Sequence, residues 1–343
     1  MKIKLLFFVT KPYSISIITP IEDFCKTQSN IQTAWFIVGD TEQKKIKSEV
    51  LESTKEVIKF DPDAIIVPGN VVPDFWPGIK VQIFHGLCEE KKGHYDITGF
   101  FDLYCTPGPA MTDRFTNLQK KYGTFLVQET GWPKLDEMSQ ILTLDESKSI
   151  LGLDLAKKTI LYAPTFSPKY TSAMDLYQEI LNMQGNSWQW IIKFHDLESK
   201  NIIQQYESLS SGNFIIVNDS NIHPFMLASD ILLTDTSSVA YEYLMLDRPL
   251  VTYRGIARLE KGINIILPDN LLGALTRSIE DPDEFKDSRK SYLADLHPYQ
   301  DGLSSKRVID AIENTLEAGD VNNLKKKPRN WFRKKLIRKI VPE

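Results

Sequence analysis

Short apolar runs, each ended by a polar or Gly/Pro corner, recur along most of the chain. Ala64–Val67 ends at a Pro-Gly-Asn corner, and Ile231–Leu233 ends at the polar stretch Thr234–Ser238. Runs of this length are too short for helices and are typical of buried strands. Helical spacing follows many of the corners, for example at 44–57. Because strands that alternate with helices build parallel sheets, the sequence predicts an α/β fold.

The alternation fades after residue 136 and restarts at Thr159, which divides the pattern into two halves. A chain of 343 residues also exceeds the size at which single cores stop growing. We therefore predict two doubly wound parallel-sheet domains that face a central cleft. The expected boundaries are an N-terminal domain at 1–136, a linker at 137–155, a C-terminal domain at 156–320 and a tail at 321–343.

Composition limits the classes of function. The net charge of −4 argues against nucleic acid as a partner of the whole molecule. Nine Lys/Arg and one Glu fall in residues 324–343, which leaves −12 for the rest of the chain. Three cysteines without CxxC spacing fit reduced thiols in the cytoplasm. No apolar run approaches 18 residues, so no membrane span is expected.

The stretch Ala228–Tyr253 carries the most informative corner. A buried strand leads into Thr234–Ser238, and helical spacing begins at Val239 with Glu242 in the first turn. A serine before a helix predicts a side-chain N-cap. Unpaired N–H groups and the helix dipole at such a position favour a bound phosphate. An ordinary capped turn remains the alternative.

Other corners follow other predicted strands. Because the carboxyl ends of parallel strands meet at one edge of a sheet, we expect their side chains to line the cleft. The residues concerned are His85, Thr106, Gly131, Thr165, His195 and Thr236 to Ser238.

Several strings resemble one family, the CDP-glycerol glycerophosphotransferases, which build glycerol-phosphate polymers of the teichoic acid type. Phe84-His85-Gly86 with Lys91-Lys92-Gly93 resembles the family's W-H-G…K-K-G segment. Other strings follow in the family's order: Thr130–Pro133 (G-Y-P), Ile160–Phe166 (I-L-Y-A-P-T-W), Lys193–Asp196 (R-L-H-P), Ser229–Ser238 (S-D-I-L-I-T-D-Y-S-S) and Asp301–Arg307 (D-G-x-A-S-x-R). The resemblance implies a two-domain GT-B fold, with the donor nucleotide on the C-terminal half and the acceptor on the N-terminal half.

The resemblance also implies a reaction. A hydroxyl of a lipid- or glycan-linked acceptor attacks the distal phosphorus of a CDP-linked polyol, most simply glycerol, and CMP leaves. We predict His85 as the general base, because imidazole titrates near neutral pH, and His195 as a hydrogen-bond donor to phosphate. Ser237 and Ser238 would hold the diphosphate. The other donor-site candidates are Thr165, Thr236, Arg307 and, for the ribose, Glu242.

No metal-ligand spacing is present, so we expect no protein-bound metal or other cofactor, although Mg²⁺ could arrive with the donor. The tail alternates basic residues with Trp331, Phe332, Leu336 and Ile340 at near-helical spacing. Such a helix suits an anionic membrane surface and would attach the enzyme to the inner face of the cell membrane. The alternative is a final helix that packs on the N-terminal domain.

Three functions remain open at the level of sequence. The first is the CDP-polyol phosphotransferase, with glycerol and ribitol not distinguished. The second is another GT-B enzyme, either a glycosyltransferase that uses a nucleotide sugar or a UDP-sugar 2-epimerase. The third is a membrane-bound scaffold without activity.

Overall fold

A computed structural model describes residues 2–39, 46–88, 95–139, 142–209 and 212–341. The Lys91-Lys92-Gly93 string lies outside these residues. The strands are β1 Ile3–Val9, β2 Ile31–Ile37, β3 Glu49–Leu51, β4 Ala64–Val67, β5 Ile79–Gln82, β6 Leu103–Thr106, β7 Leu126–Glu129, β8 Thr159–Tyr162, β9 Gln189–Lys193, β10 Phe214–Val217, β11 Ile231–Thr234, β12 Leu250–Tyr253 and β13 Ile263–Ile265.

Helices cover the sheets that these strands form. They are α1 Ser14–Lys26, α2 Thr54–Phe60, α3 Pro109–Tyr122, α4 Leu144–Ile150, α5 Ala173–Asn182, α6 Lys200–Glu207, α7 His223–Leu227, α8 Val239–Tyr243, α9 Leu271–Glu280, α10 Lys286–Leu296, α11 Ser304–Ala318 and α12 Trp331–Ile340. Short 3₁₀ helices include Pro133–Ser139 and Leu244–Leu246.

Two parallel sheets organise the described residues. The first has the order β3-β2-β1-β4-β5-β6-β7 and the second has the order β10-β9-β8-β11-β12-β13. Every strand pair in both sheets is parallel. The strand order reverses between β1 and β4 in the first sheet and between β8 and β11 in the second. Ligands of doubly wound sheets bind beside such reversals, at the carboxyl ends of the strands. The predicted pair of α/β sheets is confirmed.

The chain divides into two compact units whose boundaries differ from those of the predicted domains. Unit 1 contains Met1–Ser139 and Ala294–Glu343, and unit 2 contains Gln140–Leu293. The prediction grouped residues up to 320 with the C-terminal half. In unit 1, however, the Asp136 carboxylate accepts hydrogen bonds from the backbone N–H groups of Ser304 and Ser305, at 2.9 and 2.7 Å. Asp136 therefore stabilises the start of α11, although the two are far apart in sequence.

Two local predictions change in the structure. Part of the helix expected at 44–57 lies outside the described residues, and the rest contains the edge strand β3 before α2 begins at Thr54. The expected linker at 137–155 contains α4, whose Lys148 forms a buried ion pair with Asp230 of unit 2 (2.7 Å). That pair integrates α4 into the second unit, because a buried charge requires its partner.

The tail helix α12 packs on unit 1. Ile337 and Val341 belong to the apolar core of unit 1, and both are buried. Lys334 Nζ lies 2.7 Å from the Asp74 carboxylate, and Lys327 forms an ion pair with Asp102 in the segment that leads into the helix. Burial of two aliphatic side chains contributes roughly 1.5–3 kcal/mol each, more than exposed ion pairs usually do. The tail is therefore part of the unit 1 fold.

Candidate functional site

Asp235 joins the two corners beside the strand reversal of unit 2. Its carboxylate follows β11 and accepts the backbone N–H of Thr165, which follows β8, at 3.0 and 3.1 Å. It also accepts the N–H and the hydroxyl of Ser172, both at 3.0 Å. One carboxylate thus positions the loop after β8 against the end of β11.

Burial decides the ionisation of Asp235. The side chain is buried, and desolvation raises its pKa to about 6, although hydrogen bonds from Ser172 and Thr165 act in the opposite direction. At neutral pH the group is mostly ionised and accepts all of these donors. We refer to Thr165, His195 and Asp235 to Ser238 as the Asp235 corner.

The hydroxyl residues of this corner are half-buried at the start of α8. The expected side-chain N-cap is absent at Ser238, whose φ of −63° and ψ of −19° already belong to the helix. A capping residue needs extended backbone for its side chain to reach back to the first turn. The Ser237 hydroxyl instead accepts the N–H of Val239 at 3.4 Å. The predicted cap is therefore displaced by one residue.

His195 follows β9 at the same edge of the sheet. Its Nδ1 accepts the backbone N–H of Leu197 at 3.1 Å, and its ring lies 4.4 Å from the ring of Phe166 in the loop after β8. Because Nδ1 is an acceptor, the neutral imidazole carries its proton on Nε2. The side chain is therefore arranged as a hydrogen-bond donor.

Glu242 lies one helical turn beyond Ser238 and is buried. His223 Nε2 lies 3.2 Å from its Oε2. The two residues are 19 positions apart, and no sequence pattern links them. The fold brings the two side chains together from separate helices, α7 and α8.

His85 follows β5 in unit 1, at a turn held by aromatic packing. Phe84, directly before it, has a φ of 60°, which few residues other than glycine adopt. The Phe84 ring is fully buried, and the Phe84 backbone carbonyl accepts a hydrogen bond from the Trp132 indole N–H at 3.3 Å. The Tyr13 ring lies 6.2 Å from the His85 ring. We refer to Phe84–Gly86 as the His85 corner.

Arg307 belongs to unit 1, whereas the other predicted donor residues belong to unit 2. Its guanidinium forms a bidentate pair with Asp301 and lies 4.2 Å from the Tyr299 ring centroid. The Tyr299 hydroxyl in turn donates to Glu129 Oε1 at 2.8 Å. Gly131 permits the close approach of this segment. A Cβ there would lie 2.4 Å from the Ser304 hydroxyl and 3.0 Å from the Tyr299 ring. Sequence reasoning missed Glu129 and Tyr299, which no motif connects.

No group of three or more His, Cys, Asp or Glu residues comes together as a possible metal site in the part of the chain that the structure describes. No helix in the same part has the length and apolarity to cross a membrane.

The sequence matches a known family over part of its length. Residues 90–255 match the model of the CDP-glycerol:poly(glycerophosphate) glycerophosphotransferases. The teichoic acid poly(glycerol phosphate) polymerase of Bacillus spizizenii is 30% identical over 176 residues, which cover 48% of this chain and 43% of the relative. The teichoic acid glycerol-phosphate primase of Bacillus subtilis is 29% identical over 178 residues, 47% and 44% of the two chains. The matches thus span less than half of either relative.

Solved structures share the fold over nearly the whole chain. The wall teichoic acid polymerase TagF, in a crystal soaked with CDPG, superposes with a TM-score of 0.68 over 92% of this chain and 89% of its own, at 17% identity. The UDP-GlcNAc 2-epimerase from Neisseria meningitidis, bound to UDP-GlcNAc, superposes with a TM-score of 0.65 over 91% and 100%, at 16% identity. At these identities the likeness establishes the architecture, which is of the GT-B type.

Proposed function

Because residues 90–255 match the model of the CDP-glycerol:poly(glycerophosphate) glycerophosphotransferases, we propose that the protein transfers glycerol phosphate from CDP-glycerol to a hydroxyl of a growing cell-surface polymer. The acceptor oxygen forms a bond with the phosphorus that carries glycerol. The bond from that phosphorus to the bridging oxygen breaks, and CMP leaves. The hydroxyl proton passes to a base on the protein.

The observation that carries this proposal is the Asp235 corner. The loop with Thr165 and the Thr236 to Ser238 stretch meet beside the strand reversal of unit 2 through the Asp235 carboxylate. Diphosphates bind at such reversals, where backbone N–H groups and hydroxyls converge. His195, with its proton on Nε2, adds a donor for a phosphate oxygen as negative charge develops on the leaving CMP.

His85 is proposed as the base that accepts the hydroxyl proton. The left-handed backbone at Phe84 costs free energy, and strained residues of this kind cluster at functional sites. Imidazole is the side chain best suited to proton transfer near pH 7. Arg307 remains a proposed phosphate contact, although its pairing with Asp301 would have to open or extend for that role.

A donor screen tests the reaction. The purified protein is incubated with CDP-glycerol, CDP-ribitol and UDP-N-acetylglucosamine in the presence of a glycerol-phosphate-primed acceptor, and nucleotide release is measured. We expect CMP release from CDP-glycerol. UDP release, or loss of the sugar's configuration without transfer, would indicate a glycosyltransferase or a 2-epimerase instead. Ribitol preference would change the polyol and leave the mechanism intact.

The acceptor is proposed to be lipid-linked, because α12 presents a second face away from the unit 1 core. Trp331, Phe332 and Leu336 on that face are 72, 88 and 63% exposed. Exposed basic residues surround them: Arg333, Lys335, Arg338 and Lys339. Aromatic side chains among cations suit the interface of an anionic bilayer, where each cation contributes about 1 kcal/mol. The protein would then attach peripherally to the inner face of the cell membrane.

Vesicle sedimentation tests the attachment. We expect binding to vesicles that contain phosphatidylglycerol and little binding to pure phosphatidylcholine. Phe332→Ser should weaken the binding about tenfold, because the most exposed ring of α12 is removed. Ile150→Ser is the matched control, since Ile150 is 68% exposed on α4 of unit 2. Equal effects of the two substitutions would argue against a specific role of α12.

A further inference from the structure

A buried pair of titratable side chains lies next to the Asp235 corner. His223, the first residue of α7, and Glu242 of α8 are 2 and 3% exposed, and Nε2 and Oε2 lie 3.2 Å apart. An ionised carboxylate only accepts hydrogen bonds, so this contact requires a proton on Nε2. Hydrogen bonds to charged groups are among the stronger ones in proteins, and this bond orients the Glu242 carboxylate.

The position of Glu242 relates it to the nucleoside of a bound donor. It lies four residues after Ser238, so both residues are on one face of the helix and about 6 Å apart along its axis. If the diphosphate occupies the hydroxyl residues of the Asp235 corner, the attached ribose lies within about one helical turn of them. A carboxylate has about four acceptor positions, so it can accept a bond from His223 and also bonds from the vicinal hydroxyls of a ribose.

We infer that His223 is a positioning residue for the ribose of the donor: it holds the Glu242 carboxylate so that Glu242 accepts hydrogen bonds from the ribose hydroxyl groups. The inference rests on the proposed function, which supplies the nucleotide. It extends that function by assigning to His223, on a separate helix, the orientation of the group that recognises the sugar.

Removal of the imidazole should act through the ribose alone. Without Nε2, Glu242 loses a fixed partner in a buried position and adopts other rotamers or a neutral form. Affinity for a ribonucleotide then falls, whereas affinity for a nucleotide without ribose hydroxyls does not change. A purely structural role of His223 predicts equal losses for both ligands.

Calorimetric titration with CDP and with 2′,3′-dideoxy-CDP separates these cases. For His223→Leu we expect about 10-fold to 100-fold weaker binding of CDP and unchanged binding of dideoxy-CDP. His223→Gln, whose amide can place a donor near the position of Nε2, should restore most of the affinity. Glu242→Gln should resemble His223→Leu, and the double variant should be no worse than either single variant.

Several outcomes would overturn the inference. Equal loss for both nucleotides, no loss with His223→Leu, or additive losses in the double variant each exclude a positioning role. If His223→Leu does not fold, the comparison of His223→Gln with Glu242→Gln on the two nucleotides decides the question. Failure of the unaltered protein to bind CDP overturns both proposals, whereas CDP binding without CMP release in the donor screen overturns the proposed reaction alone.

Discussion

The Asp235 corner and the His85 corner both follow strands of a parallel sheet, but different forces hold them. The first is fixed by hydrogen bonds from Thr165 and Ser172 to the buried carboxylate of Asp235. Aromatic packing fixes the second. Phe84, directly before His85, has left-handed backbone, and its buried ring holds it in that conformation. A polar network adapts a site to bind charge, whereas packing adapts a site to hold one side chain in one orientation. The difference therefore parallels the proposed roles, binding in unit 2 and proton transfer in unit 1.

The largest effect is expected at His85. If the corner presents a general base, His85→Ala should lower kcat/KM for CDP-glycerol about 10³-fold with little change in donor affinity, because the base acts in the transition state. Steady-state CMP release and calorimetry measure the two quantities. Tyr13→Phe is the control, since it keeps the neighbouring ring and should change the rate by less than about threefold. Full activity of His85→Ala would exclude the assignment.

A loss of about 10²-fold in kcat is expected for His195→Ala. The substitution removes a donor that Leu197 fixes through Nδ1, and one charge-stabilising donor commonly contributes this much. His195→Gln should recover part of the rate, because its amide also donates. Single-turnover CMP release measures the chemical step. If alanine and glutamine variants are equally impaired, His195 acts in another way.

The contribution of Asp235 to the stability of the folded protein depends on pH. Its pKa is raised from 3.8 to about 6 by burial, so the folded protein binds the proton more tightly than the unfolded chain. The resulting stabilisation is fully present below pH 3.8 and is lost as pH rises through 6; its size is on the order of 2–3 kcal/mol. Asp235→Asn should remove this part of the pH dependence of urea unfolding. An unchanged profile between pH 4 and 6 would contradict the effect of burial.

The smallest effect is expected at Ser238. Its side chain makes no cap hydrogen bond, so Ser238→Ala should change the free energy of unfolding by less than about 0.5 kcal/mol. One lost hydrogen bond to phosphate should weaken donor binding about threefold to tenfold. Urea unfolding and CDP-glycerol titration check the two values. A strongly destabilised variant would mean that the serine caps the helix in solution after all.

Features that depend on residues adjacent along the chain could be predicted from the sequence. Runs such as Ala64–Val67 and Ile231–Leu233 are apolar throughout because strands of a covered parallel sheet are buried on both faces. The corners after β8, β9 and β11 could be assigned to one edge because the carboxyl ends of parallel strands meet there. Prediction was harder at β3, where a three-residue edge strand with an exposed Glu49 lies in a segment of helical charge pattern.

Contacts between distant residues could not be predicted. The bonds from Asp136 to Ser304 and Ser305 join residues 168 and 169 positions apart, and they help to place α11 in unit 1. The pairing of His223 with Glu242 depends on how two short helices pack. Neither leaves a periodic signal, because each is a single contact that only the complete fold creates.

The docking of α12 has a consequence for experiments on truncated protein. Ile337 and Val341 fill the interior of unit 1, so a chain shortened before residue 331 would expose a hole as well as lose its basic segment. Aggregation or poor expression of such a fragment would then be mistaken for evidence about lipids. Substitution of the outward-facing rings of Trp331 and Phe332, with Ile337 and Val341 left in place, separates an effect on membrane binding from an effect on folding.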